Sequence, residues 1–296
     1  MRVPDSMSYN NAIRYLNDAK SKLEKLGEVV SSTKNFQTSS DDPSLVSTSL
    51  VLRSSIVASN GYISSSENAK TWMENTESAF KLMNDLMSDA NTIMLKSLSD
   101  TVGADARRDD YAVQITQILN QAISIANTSY NDNYLFSGTH ITTKPFTLAA
   151  DGSTVEAASS TSGVMKRDLA PGINVAINTD GTAAFNPFFE ALILAKHGLE
   201  NNDSTEMNTA LANISSSVTI MNQFRTNNSA ILRQIGTNLD HLTTTQKELK
   251  SLLSIKEDAN MAEAISMFNL QQTTYQTVLD VSSRAISALN LFDVLT

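Results

Sequence analysis

The chain has 296 residues, 22 Lys and Arg against 31 Asp and Glu (net charge -9), 41% apolar residues and no cysteine. That length allows one large or two ordinary domains, and the apolar share lies well above the disordered range. An acidic chain with no Lys/Arg cluster argues against nucleic acid; the missing cysteines remove disulfides, thiolate zinc sites and thiol nucleophiles; no run nears the roughly 18 apolar residues of a membrane span.

Met1 to Asn11 is polar with no apolar stretch behind it, so no secretory signal is expected. From Tyr9, steps of seven land on Leu16, Leu23 and Val30, with a companion row at Ala12, Ala19, Leu26 and Thr33. This is a coiled-coil-like seam on an N-terminal helix. Asp42-Pro43 then has the form of an N-cap followed by proline at the first helical position. The spacing predicts a helix from there to about Ser99, roughly 85 Å long at 1.5 Å per residue. Its inner face holds Trp72, Met73, Phe80, Met83, Met87, Ala90 and Met94. The methionines could line a plastic binding groove, but their place inside a helical rod reads as core packing. Ser99-Asp100-Thr101-Val102-Gly103 reads as a reversal, and a second helix is expected over about 104–128.

Proline and glycine concentrate next. Residues 138–187 hold Pro145, Pro171 and Pro187 with Gly138, Gly152, Gly163, Gly172 and Gly181, whereas 44–144 and 188–296 hold no proline and read as helical. Alternation at Ile173-Asn174-Val175-Ala176-Ile177, followed by Asp180-Gly181 as a turn dipeptide, marks a small β-rich insert. Helices are expected over about 186–199 and 204–253, and a last one after Glu257-Asp258. That last helix carries a seam of Met261, Phe268, Tyr275, Ser282 and Leu289, with Ile265, Leu279 and Ile286 on the same face. Neither terminal helix could fold well alone, because an isolated amphipathic helix needs a partner for its apolar face.

The expected fold is mainly α with a small β-rich insert: a long antiparallel helical rod with both termini at one pole and an exposed variable domain. The organisation reads as an N-terminal assembly helix (1–42), a first rod segment (43–136), the exposed insert (137–187), a second rod segment (188–254) and a C-terminal assembly helix (255–296).

Chemistry is sparse. His140, His197 and His241 lie far apart, with none in a metal-ligand spacing, and no phosphate loop, dinucleotide fingerprint or nucleophile elbow is present. Asp105, Arg107, Arg108, Asp109 and Asp110 form the densest charge cluster; a solvated helix start explains it better than an ion site. No catalytic, cofactor or metal residue is assigned. An enzyme site, had there been one, would fall in the insert around His140 and Asp151, but no nucleophile–base spacing supports it.

Met1-Arg2-Val3, the run Ser39-Ser40-Asp41-Asp42-Pro43, and residues 127–146 with Asn127-Thr128, Tyr134-Leu135-Phe136-Ser137-Gly138 and Pro145-Phe146 carry a more specific signal. With Lys256-Glu257-Asp258-Ala259-Asn260-Met261-Ala262-Glu263-Ala264-Ile265 and Leu291-Phe292-Asp293, they resemble the bacterial flagellar hook-associated protein 3 family (FlgL), within the flagellin superfamily. Residues 147–200 carry no motif of the family. The resemblance implies a structural subunit of the distal hook–filament junction, without enzymatic activity or cofactor. It implies as partners further copies in a ring of about a dozen, the proximal junction protein, flagellin, and an export chaperone at the C-terminal helix. It also implies export by the flagellar type III apparatus to an extracellular position, with no cleaved signal and no membrane insertion. The assembly interface is then expected on Leu16, Leu23, Leu26, Val30, Met261, Ile265, Phe268, Tyr275, Leu279 and Ile286, on termini that become ordered on assembly.

Flagellin itself is the nearest rival, but its chains often end in Leu-Leu-Arg, whereas this one ends Leu291-Phe292-Asp293-Val294-Leu295-Thr296. A coiled-coil scaffold is the rival from another class; it would have stable helices at both ends and no use for the Tyr-Leu-Phe-Ser-Gly segment.

Overall fold

The computed structural model describes the backbone of residues 5–99, 102–158, 161 and 163–293. Side chains are described for residue 7 and, within those ranges, for residues 10–284. The expectations placed on Met1–Val3, on Asp100 and Thr101, and on the side chains of Tyr9, Ile286 and Leu289 lie outside the described residues.

The chain is mainly helical, with α1 (Asp5–Ser32), α2 (Pro43–Ser97), α3 (Ala104–Ala106), α4 (Ala112–Ala126), α5 (Gly181–Glu200), α6 (Ser204–Glu257) and α7 (Met261–Asp293). Three antiparallel hairpins lie between α4 and α5: β1 (Ser129–Tyr130) with β2 (Asn133–Tyr134), β3 (Phe146–Leu148) with β4 (Val155–Ala157), and β5 (Lys166–Ala170) with β6 (Ile173–Ala176). The chain divides into two compact units, one of residues 1–58 with 245–296 and one of residues 59–244. Both chain ends belong to the first unit.

The second unit holds most of the core. On α2, Ala69, Thr76, Met83, Ala90 and Ser97 are buried in one seven-residue row and Met73, Phe80, Met87 and Met94 in another. On α6, Met207, Ile214, Met221, Asn228, Ile235 and Leu242 continue the same spacing. Two such rows per helix are what a helix packed along its length requires. The methionine face of α2 is therefore core, as its periodicity indicates, and Trp72 is buried with it. The amide nitrogen of the polar member of the α6 row is partnered, while its Oδ1 is buried without a partner: Asn228 Nδ2 donates to the Met73 carbonyl at 3.2 Å and to Glu77, which also accepts from Arg225 at 2.7 Å.

A cluster of phenylalanines joins the hairpins to the helices. Phe136 meets Phe185 edge-on at 4.7 Å, Phe146 meets Phe189 at 5.4 Å, and Phe80 lies 5.5 Å from Phe136. All five rings are buried. Each fully buried ring contributes about 1.5–3 kcal/mol, with a further ~0.5–1.5 for well-placed ring pairs. Leu135, Phe136, Ser137, Gly138, Pro145 and Phe146 are all buried, so this motif of the sequence is a packing element.

Three local expectations are corrected. Asp180-Gly181 is not a hairpin turn. Asp180 caps α5, its Oδ1 accepting the amides of Thr182 at 3.0 Å and Ala183 at 3.2 Å. A Cβ on Gly181 would stand 2.6 Å from the Phe136 carbonyl oxygen, so glycine is required for close approach. Helix α5 therefore starts five residues before 186, and Pro187 lies inside it. The helix expected over 104–128 is interrupted by a π turn at Arg107–Tyr111 and ends at Ala126. It ends there because the Asn127 side chain bonds both main-chain groups of Phe146, at 2.9 and 3.0 Å.

Candidate assembly interface

In the first unit α1 and α7 lie antiparallel. Phe268 packs on the bare backbone of Gly27, where an added Cβ would stand 3.5 Å from the ring, and Gln271 Nε2 donates to the Ala19 carbonyl at 3.1 Å. Nearer the chain ends, Ala12, Tyr15, Ala19, Thr274, Val278 and Val281 border an open groove of about 760 Å³.

The residues expected at the interface are divided between contact and exposure. Leu16, Leu23, Leu26, Val30, Met261, Phe268 and Tyr275 are half-buried. Ile265 is 45% exposed and Leu279 40% exposed, so the α1–α7 pair leaves both uncovered. Among the described residues of this unit, Ala19 and Ala264 are the buried apolar side chains. Thirteen of the eighteen exposed large apolar side chains described belong to this smaller unit, including Met7, Tyr15, Val57, Leu270 and Val281. A helix pair with so little interior and so much uncovered apolar surface has the composition of an interface.

Polar contacts define the inner end of the pair. Glu257, 4% exposed, takes two of the three guanidinium nitrogens of Arg53: Nε donates to Oε1 at 2.8 Å and Nη2 to Oε2 at 2.7 Å. Lys34 Nζ lies 3.4 Å from Glu257 Oε2 and 2.6 Å from Asp258 Oδ1. The backbone joins in: the Asn35 amide donates to the Glu257 carbonyl at 2.8 Å and the Ala259 amide to the Thr33 carbonyl at 2.9 Å. Lys34 and Asp258 thus form an antiparallel β-bridge between the α1–α2 and α6–α7 connections. The Arg53 guanidinium holds the Glu257 carboxyl below its usual range, and Lys34 does the same for Asp258. Reciprocally, the bond to Asp258 raises Lys34.

The α1–α2 connection is ordered by its own acids. Asp41 Oδ2 accepts the Thr38 amide at 3.0 Å, the Thr38 hydroxyl at 2.9 Å and the Gln37 amide at 3.2 Å, which lowers its pKa. Asp42 Oδ1 accepts the amides of Ser44 at 3.0 Å and Leu45 at 2.9 Å, capping α2 ahead of Pro43. The Ser-Ser-Asp-Asp-Pro run is therefore turn and cap chemistry. The Arg53–Glu257 pair was not legible in the sequence. Its one available signal is Glu257 itself, an acid in the last turn of a helix, where the macrodipole disfavours negative charge.

Asp151, His197 and the charged cluster of the second unit have local partners. His140 is exposed, and its amide donates to the Ser137 carbonyl at 3.2 Å. Asp151 accepts the Ser153 amide at 3.0 Å in the β3–β4 turn and is lowered by that bond. His197 Nδ1 meets Glu206 Oε2 at 2.6 Å, which raises its pKa. In the charged cluster, Arg108 pairs with Asp105 at 2.8 Å, while Arg107 donates to the Ser97 carbonyl at 2.8 Å. Among the described residues no three His, Asp or Glu side chains are grouped to hold a metal, and no helix is long and apolar enough to cross a membrane.

Comparison with known proteins gives a consistent set. Residues 3–141 match the family model of the bacterial flagellin N-terminal helical region. The chain is 24% identical over 293 residues to the flagellar hook-associated protein 3 of Salmonella typhimurium, covering 94% of this chain and 90% of that protein. Its fold is similar to a putative flagellar hook-associated protein from Vibrio parahaemolyticus (TM-score 0.67, 16% identity, 73% of this chain and 99% of that one). It is also similar to FlgL of Bacillus cereus (TM-score 0.57, 19% identity, 69% and 99%).

Proposed function

We propose that this chain belongs to the flagellar hook-associated protein 3 family, related to flagellin, and forms the distal hook–filament junction. Its similarity to flagellar hook-associated proteins supports a structural role in the flagellum; the ring, its neighbours and its export are our reading. The observation that carries it is the concentration of uncovered apolar side chains on the smaller unit, around α1 and α7. Burying them against neighbouring copies would supply the driving force for assembly, at roughly 25 cal/mol per Å² of apolar surface removed from water. Ordering the terminal helices on assembly would offset part of that gain and keep free subunits from associating early.

In this reading the subunit is exported by the flagellar type III apparatus with a chaperone on α7, and acts outside the cell without catalysis. It sits in a ring of about a dozen copies between the proximal junction protein and flagellin. Counting fluorescently labelled copies per flagellum tests it. About a dozen copies at the hook tip is the expected result. Thousands along the filament would make the chain a flagellin, and absence from flagella would leave the scaffold reading.

A further inference from the structure

We propose that the cavity between the β3–β4 turn and α5 binds a small organic ammonium ion, a primary amine on an apolar body, with Glu190 and Asn186 as the groups that receive its N–H donors. The site lies wholly within the second unit and does not require the junction reading.

The cavity measures about 600 Å³, the size of a small-molecule site. Residues 151–155 of the turn form one wall and a stripe of α5 forms the other. Val155, Phe189, Ile193 and Leu194 give it an apolar floor. The floor is built in advance: the Phe189 ring is buried and packs on Phe146 at 5.4 Å and Phe185 at 6.3 Å. An apolar body therefore meets a surface that need not be ordered on binding.

The polar lining selects the rest of the ligand. Asp151, Glu190, Lys196, His197 and Glu200 are its titratable groups, and all but Glu190 are matched. Asp151 accepts the Ser153 amide at 3.0 Å and the Ser153 hydroxyl at 2.7 Å. Lys196 Nζ lies 3.8 Å from Glu200, and His197 Nδ1 lies 2.6 Å from Glu206. Glu190, exposed at the mouth, has no hydrogen-bond or ion-pair partner among the described residues. One turn earlier on the same face is Asn186, whose Oδ1 is buried without a donor. No hydrogen bond among the described residues holds its amide, so the side chain is free to turn toward a donor that enters.

Both unmatched groups are acceptors, and one is an anion. Four residues apart on a helix, they stand about 6 Å apart along its axis. A ligand that answers both brings N–H donors and a positive charge above the apolar floor. An anion would find Lys196 and His197 already engaged by Glu200 and Glu206. A metal ion would find no group of three His, Asp or Glu side chains among the described residues.

The test is NMR titration of the full-length chain, labelled at Ile and Leu methyl groups, with phenethylamine. The Ile193 and Leu194 methyl signals should shift and saturate with a Kd on the order of 1 mM. The neutral analogue 2-phenylethanol should bind about fivefold more weakly, and 3-phenylpropanoate should not saturate. Glu190→Gln should weaken phenethylamine by about fivefold while leaving 2-phenylethanol unchanged. Asn186→Ala should weaken it by a smaller factor. Glu190 is exposed, so its substitution should keep the Trp72 unfolding transition of the parent chain. Free amines and protein lysines share this chemistry, and Nα-acetyl-lysine methylamide separates them. Tighter binding of the lysine compound than of phenethylamine would assign the site to a lysine side chain, and the reverse order to a free amine. Equal binding of the amine and the alcohol, a Kd unmoved by Glu190→Gln, or methyl shifts that do not saturate would each overturn the proposal.

Discussion

The side chain of Asn127 does for Phe146 what a neighbouring strand would do. Its Nδ2 donates to the Phe146 carbonyl at 2.9 Å, and its Oδ1 accepts the Phe146 amide at 3.0 Å. One residue thus ends α4, pairs the start of β3, and fixes a ring in the phenylalanine cluster.

Asn127→Ala should therefore leave two main-chain groups of a fully buried residue unpaired, at a cost of about 2–4 kcal/mol. Thermal unfolding followed through Trp72, the single tryptophan and a core residue of the second unit, should show a lower Tm. An unchanged Tm would mean that water replaces both bonds. Phe146 could then not be as buried as it is here.

Gly181→Ala tests the other close approach in that cluster. The substitution improves helix propensity at the first position of α5, which favours stability by under about 1 kcal/mol. Against it stands a Cβ 2.6 Å from the Phe136 carbonyl oxygen and 2.8 Å from the Phe136 Cβ. Overpacking against a main-chain oxygen outweighs propensity, so a net loss of about 2 kcal/mol is expected. For a unit of this size that lowers Tm by about 4–8 °C. A stabilised variant would show that α5 can shift away from Phe136.

These two sites show what the sequence carries and what it hides. The period-seven rows on α2 and the cap at Asp42 are local rules, and each was legible because neighbours along the chain determine it. Asp180-Gly181 was misread because turn and N-cap share residue preferences. What separates them is Phe136, whose approach to Gly181 depends on tertiary packing. The Arg53–Glu257 pair spans 204 positions and follows no local rule. The interface residues fall between these cases: periodicity groups Ile265 and Leu279 with Phe268 on one face, and the fold of a single copy leaves the first two uncovered.

The Arg53–Glu257 and Lys34–Asp258 pairs carry a pH dependence with a definite sign. The carboxyls of Glu257 and Asp258 are lowered in the folded chain, so folding favours their charged forms. Their contribution is complete above the ordinary glutamate value near 4.5 and is lost as pH falls through the lower folded values. Helicity of the first unit should therefore decline below about pH 4, ahead of the Trp72 transition. High salt should weaken the effect only in part, because Glu257 is screened from solvent while Arg53 is not. Coincident acid transitions of the two units would contradict this assignment.

His197 has the opposite sign. The bond to Glu206 raises its pKa, so its contribution is present below the ordinary value of 6.5 and fades as pH rises through the raised one. The pair joins the end of α5 to the start of α6. NMR titration of the ring should give a midpoint above 6.5 that returns toward it in Glu206→Gln. A midpoint unmoved by that substitution would assign the shift to the helix end instead.

The assembly reading is most sharply tested at a residue that a single copy leaves uncovered. Leu279 is 40% exposed on α7, so Leu279→Asp should change the stability of the free chain by no more than about 0.5 kcal/mol. If the exposed face of α7 is buried by neighbouring copies, the same substitution strands a carboxylate in an apolar contact and should abolish incorporation into the flagellum. Leu23→Asp serves as the contrast. Leu23 is half-buried in α1, so its loss should weaken the terminal pair in the free chain and block incorporation as well. Both variants should keep the Trp72 transition of the second unit. Counting labelled copies per flagellum separates the outcomes: normal incorporation of Leu279→Asp would show that assembly uses another face, while failure of both, with the second unit intact, is the result expected of an interface on α7.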